Sequence, residues 1–142
     1  MDYNPNPQVK MCAWNRKEMI LDPNPLVYGE GFVWTASFNC VQLCDNPKWI
    51  YYWKIFAWDP DAKDGEGDWT CIFNDDRTAD GELGNHGGSQ TLPDEEAAGW
   101  WNDKVNPSDY DVTKGLKFTC KVKCTTCKAQ MMVGGIIPVT TS

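Results

Sequence analysis

Leu116-Lys117-Phe118-Thr119-Cys120-Lys121-Val122-Lys123-Cys124 alternates without a break. Leu116, Phe118, Cys120, Val122 and Cys124 fall on one face, and Lys117, Thr119, Lys121 and Lys123 on the other. Period two is the signature of a strand with one face buried. Phe32-Val33-Trp34-Thr35-Ala36-Ser37-Phe38-Asn39-Cys40 repeats the pattern, with Phe32, Trp34, Ala36, Phe38 and Cys40 on the apolar face. Two such strands require apolar faces to bury against, so the chain reads as mainly β.

Working outward, Lys48-Trp49-Ile50-Tyr51-Tyr52-Trp53-Lys54-Ile55-Phe56-Ala57-Trp58 is apolar on both faces. This predicts a central strand covered on both sides. Asp68 to Phe73 returns from it as a hairpin partner across a long acidic loop. Asn74 to Gln90, rich in Gly and Asp, reads as an irregular surface loop. Thr91 to Trp101 is the best helix, with Thr91 as cap, Pro93 in the first turn and Asp94, Glu95 and Glu96 at the positive end of the dipole. Met131 to Val139 reads as a last strand broken at Gly134-Gly135. Residues 1–8, with Asn4-Pro5-Asn6-Pro7, read as an extended arm, and 9–142 as a single β-rich domain. The expected architecture is an antiparallel β-sandwich or barrel of about seven strands with one short helix.

Seven cysteines point to an oxidising compartment and an extracellular protein. Cys40 and Cys44 share a face if their strand runs straight, as do Cys120 and Cys124. Facing strands would then be stapled by two disulfides, each contributing about 4 kcal/mol in the chain-entropy model. Cys12, Cys71 and Cys127 remain, leaving an odd thiol that is free or joins a second molecule. A zinc site from Cys40, Cys44, Cys124 and Cys127 is the rival, and Cys124-Thr125-Thr126-Cys127 has redox-pair spacing without the strand-to-helix setting that lowers a thiol pKa.

Asp59, Asp61, Asp64, Glu66 and Asp68 place five carboxylates in one short loop, which suits calcium as a hard cation. The EF-hand spacing does not fit, and a hydrated turn of good turn formers explains the same residues. Of eight tryptophans, Trp14, Trp34, Trp49 and Trp53 read as core. Trp58 and Trp69 flank the acidic loop and Trp100-Trp101 end the helix, where an exposed indole can stack on a sugar ring beside Asn102 and Asp103. Trp101-Asn102-Asp103, with Trp34 and Cys40 upstream and Phe118-Thr119-Cys120-Lys121 downstream, is loosely similar to the C-type lectin pattern. The Cys expected soon after Trp-Asn-Asp is absent, and so is any Glu-Pro-Asn or Gln-Pro-Asp triplet. The resemblance implies calcium-assisted glycan binding.

A net charge of −7 argues against nucleic acid and anionic membranes, both of which need clustered Lys and Arg. No apolar run reaches the ~20 residues of a membrane span. Met1-Asp2-Tyr3-Asn4-Pro5 is not a signal peptide, so an exported protein would be present here in its mature form. The single histidine, His86, would have to serve any Ser–His–Asp or Cys–His site. Glu95-Glu96 or the loop acids could form a glycosidase pair, but no nucleophile-elbow, phosphate-loop or dinucleotide motif is present. The expectation is a secreted, non-catalytic module that binds a glycan or an extracellular protein. The alternative is a structural or interaction subunit, a homo-oligomer included, that uses its odd cysteine and the apolar Met131–Val139 segment.

Overall fold

Both alternating segments are strands, and they face each other from different sheets. The computed structural model describes residues 10–141; the expected arm, 1–8, lies outside the described residues. The strands are β1 (Ala13–Asp22), β2 (Leu26–Val27), β3 (Phe32–Gln42), β4 (Lys48–Asp59), β5 (Asp68–Asp80), β6 (Gly84–Leu92), β7 (Leu116–Cys124), β8 (Gln130–Ile137) and β9 (Val139–Thr140). One sheet has the order β1-β3-β6 and the other β5-β4-β7-β8, all antiparallel, with β2 and β9 forming a small parallel pair. No ladder joins β5 to β6 or β1 to β8, so the sheets make an open sandwich and not a barrel.

The core forms where the two alternating faces meet. Trp34 of β3 stands edge-on to Trp53 of β4 at 4.8 Å between ring centroids and to Phe118 of β7 at 4.9 Å. All three are fully buried, and edge-to-face contact places the positive rim of one ring against the negative face of the next. β4 is central in its sheet as expected, but only Trp49, Tyr51, Trp53, Ile55 and Ala57 are buried. Its outer face is not covered by a second layer. Lysines of β7 lie over it instead, with the Lys117 ammonium 5.6 Å from the Phe56 ring centroid and that of Lys121 5.0 Å from Tyr52. Long lysine stems thus shade the aromatics while their charges stay wet.

Three segments depart from expectation. Asn74 to Gln90 is not a loop: β5 continues to Asp80 and β6 pairs with β3 along its length. Glycine hides this strand from pattern reading, yet β3 needs it. An added Cβ at Gly87 would collide with the Ala36 carbonyl and lie 2.7 Å from the Ser37 Cα, so the backbones approach more closely than a side chain allows. β8 likewise runs unbroken through Gly134-Gly135, where a Cβ on Gly134 would lie 2.7 Å from the Phe118 carbonyl. The helix spans Asp94–Lys104, with Pro93 and not Thr91 at its cap position. Thr91 belongs to β6, and Asp94 uses its carboxylate to accept the Gly31 N–H at 2.9 Å.

The two glycine environments predict opposite substitutions. Gly99 lies within the helix with nothing within 4 Å of an added Cβ, so Gly99→Ala should stabilise by about 0.5–1 kcal/mol. Gly87→Ala should destabilise by about 1–3 kcal/mol through the forced shift of β3. Thermal melts of both variants check the pair, and equal effects would refute the close-approach account of β6.

Candidate functional site

The register divides the sandwich into two ends. One holds the start of β3, the ends of β4 and β6, and the helix; the other holds the ends of β3 and β7 and the start of β4.

At the first end the helix lays Trp101 into the core. Trp101 is fully buried, donates its indole N–H to the Glu30 carbonyl at 2.8 Å and packs against the tilted Tyr28 ring with centroids 5.0 Å apart. It cannot serve as the ligand plate expected of it. Asn102 and Asp103 sit beside it on the exposed side of the helix. Trp100 is half-buried, edge-on to Phe32 at 5.7 Å, and lines a cleft of ≈ 200 Å³. Trp34 and Phe73 line the same cleft, and Gln90, Thr91 and Glu96 supply polar groups to it. Sequence reasoning missed Phe73, Gln90 and Glu96 as neighbours, because β6 was not legible as a strand.

Trp58 and Trp69 lie at the same end, opposite each other across β4 and β5 with centroids 5.3 Å apart. The turn between them is fixed by Gly67, whose φ of +87° suits glycine and whose missing Cβ lets the backbone lie against the Trp58 indole. The acidic residues of this turn have local partners. Asp59 accepts the Asp61 N–H at 2.9 Å; Asp68 accepts the Trp69 N–H at 2.8 Å and pairs with Lys63 at 3.2 Å. Those two contacts hold the Asp68 carboxyl below the usual range. Asp64 and Glu66 are exposed.

The opposite end collects thiols. Cys12 precedes β1, Cys44 follows β3, Cys124 closes β7, and Cys127 lies in the turn to β8. Their four sulfurs lie within 4.8 Å of one another, the only such cluster of three or more potential metal-ligand side chains among the described residues. Cys44 Sγ is 3.7 Å from Cys12 Sγ and 3.5 Å from Cys124 Sγ. A disulfide requires about 2.05 Å and all seven cysteines are free thiols, so the two expected staples between the strand bearing Cys40 and Cys44 and the strand bearing Cys120 and Cys124 are corrected. β3 ends at Gln42, so Cys44 lies beyond the strand and outside its alternation. Cys40 instead donates to the Gln42 carbonyl, Cys120 is buried mid-strand, and Cys71 is exposed.

Ionisation within the cluster is uneven. Burial pushes Cys12 and Cys44 up. Burial also works against the Cys124 thiolate, but backbone groups of Cys127, Lys48 and Thr126 outweigh it and hold Cys124 at about 6.

His86 lies in β6, its Nε2 3.2 Å from the Leu83 carbonyl and its ring edge-on to Trp49. No nucleophile or carboxylate is among these contacts. Between β5 and β6 the sheets are joined by side chains. Asp75 accepts from Gln90 Nε2 at 2.7 Å and Arg77 Nε at 2.8 Å, and Arg77 also donates to the Ser89 carbonyl.

No family model matches the chain, and no curated protein matches it. Among solved structures it is similar to a β-glucuronidase from Parabacteroides merdae (13% identity, TM-score 0.44, 90% of this chain and 14% of that one). It is also similar to the sporulation control protein of Bacillus subtilis (13%, 0.44, 87% and 48%). A third is a β-glucosidase from Bifidobacterium adolescentis (14%, 0.37, 88% and 17%). The chain spans less than half the length of each. None of these likenesses reaches the level at which two chains are taken to share a fold. Among the described residues no helix is long and apolar enough to cross a membrane.

The Gln90 and Arg77 contacts lower the Asp75 pKa. A lowered folded-state value contributes stability above the unfolded value, and that stability is lost as pH falls through the folded value. Asp75→Asn should therefore melt below the unsubstituted protein at neutral pH, with the gap closing under acid. Thermal melts from pH 7 to below the ordinary carboxylate value of 3.8 test this, and a gap that stays constant would detach the seam from Asp75 ionisation.

Proposed function

We propose that the chain is a non-catalytic binding module that takes a glycan at the aromatic end of the sandwich. The observation that carries this reading is the cleft walled by Trp100 and Phe73 with Gln90 and Glu96 among its polar groups. A flat apolar plate beside hydrogen-bonding groups is what a sugar ring needs, since its C–H face stacks while its hydroxyls bond. A volume of ≈ 200 Å³ is below the ~300–1,000 Å³ typical of sites for drug-sized ligands, which favours one ring or the end of a chain. Trp58, Trp69 and the acidic turn extend the reading along the same end, with Asp59, Asp61, Asp64, Glu66 and Asp68 as the candidate calcium ligands.

A glycan array followed by calorimetry tests this, each run with calcium and again with EGTA. Binding should weaken at least about tenfold, about 1.4 kcal/mol, in Trp100→Ala and in the milder Glu96→Gln. Loss in EGTA alone would bring the acidic turn into the site. Absence of binding in both conditions would overturn the glycan reading.

A second reading, an interaction subunit, is favoured by one specific observation. Met132 and Ile136, on the last strand of the larger sheet, are 52% and 55% exposed, and Ile20 of β1 is 52% exposed. Isolated exposed apolar residues are ordinary, whereas a contiguous set marks a contact surface. On this reading sedimentation should show concentration-dependent mass that Met132→Lys abolishes, and a monomer at all concentrations would dismiss it.

A further inference from the structure

We propose that Cys12, Cys44, Cys124 and Cys127 bind one zinc ion as a closed, structural four-thiolate site that ties the two sheets together. The inference is independent of what the aromatic end binds. Two ligands flank strands of the smaller sheet, Cys12 before β1 and Cys44 after β3. The other two belong to the larger sheet, Cys124 at the end of β7 and Cys127 in the turn that follows.

The spacing fits the ion. A tetrahedron with Zn–S bonds near 2.3 Å has sulfur–sulfur edges of about 3.8 Å. The recorded separations are 3.7 Å and 3.5 Å, with every pair inside 4.8 Å. These distances are far too long for disulfides and close to what one shared cation requires. Cys12, Cys44 and Cys124 are 4%, 6% and 0% exposed, and Cys127 is half-buried. Four protein ligands with little access leave no open position, which is the mark of a structural site and not a catalytic one.

The surroundings are arranged for thiolates. The Cys12 N–H donates to Cys127 Sγ at 3.3 Å, and the Cys127 N–H to Cys124 Sγ at 3.5 Å. Such donors orient coordinating sulfurs and spread their charge. Cys124-Thr125-Thr126-Cys127 is a tight turn closed by the Lys128 N–H on the Cys124 carbonyl, with Lys128 itself at φ +70°. It is stitched to the Cys44 loop as well. The Thr125 N–H and hydroxyl both reach the Lys48 carbonyl, and the Thr126 hydroxyl reaches that of Asn46. Both ligand-bearing loops are therefore fixed to each other without help from the metal. Loading exchanges thiol protons for Zn–S bonds: four thiols and one Zn²⁺ give the tetrathiolate complex and four protons, with no change of oxidation state.

The test is the whole chain, expressed with zinc and purified under reducing conditions without chelator. Elemental analysis should find one zinc per chain. Cobalt exchanged into the site should show thiolate-to-metal charge transfer and the visible bands of tetrahedral Co²⁺. Cys44→Ser and Cys127→Ser should lose at least about tenfold in zinc affinity, while Cys40→Ser, Cys71→Ser and Cys120→Ser keep one equivalent. Should the ligand variants not fold, the unsubstituted protein decides. A high-affinity zinc chelator should lower its melting temperature, and added zinc should restore it. A metal-free protein that takes up no cobalt would overturn the proposal. So would a Cys44–Cys124 disulfide in peptide maps, or iron in place of zinc.

Discussion

The contact on which everything else depends is the meeting of Trp34, Trp53 and Phe118 between the sheets. It joins β3 to β4 and β7, and it fixes the sheet separation to the width of indole rings packed edge to face. Among the described residues, four interior indole N–H groups, those of Trp14, Trp34, Trp49 and Trp53, find no oxygen, nitrogen or sulfur acceptor. Burying an unpaired donor costs free energy. The near-perpendicular Trp34–Trp53 arrangement offers ring faces as weak substitute acceptors, and the apolar area of the rings outweighs the rest.

That core explains what was legible in the sequence. β3 and β7 could be read because each buries one face and wets the other, so period two is written into their side chains. The central place of β4 was legible from its aromatics, although the apolar outer face is shaded by Lys117 and Lys121 and not by a second layer. β6 was invisible for a physical reason. Gly84, Gly87 and Gly88 carry no alternation, and what makes the segment a strand is the bare edge of β3 and the room that glycine leaves there. The cleft went unseen with it, since Gln90 comes to line it opposite the helix only through that pairing. Trp100 and Trp101 were separable in principle, as neighbours on a helix point in different directions, but which one turns inward depends on Glu30 and Tyr28 across the fold.

The cysteines show a limit of the same kind. Parity along a straight strand puts Cys44 with Cys40, yet the strand stops two residues earlier, and a residue past a strand end obeys no parity. A signal was present. Cys44 is followed by Asp45-Asn46-Pro47 and Cys124 by Thr125-Thr126, both turn sequences, whereas Cys40 and Cys120 lie mid-strand. Cysteines at element ends and cysteines within elements do different work here, and only the former converge.

The open seam between β5 and β6 bears on how copies of the protein can meet. An unpaired strand edge invites another strand, and natural proteins blunt such edges with charge. β5, at one border of the larger sheet, carries Asp75, Asp76, Arg77 and Asp80 within six residues. β8, at the other border, is apolar on its outer face, and Lys17 of β1 already occupies its Met132 carbonyl at 2.9 Å. Strand addition is thus discouraged at one border and open only in part at the other. For the larger sheet this leaves one receptive border, and that sheet alone cannot propagate a ribbon. Association through β8 would end when two copies had used it, in a closed pair related by a twofold axis and not in a fibre.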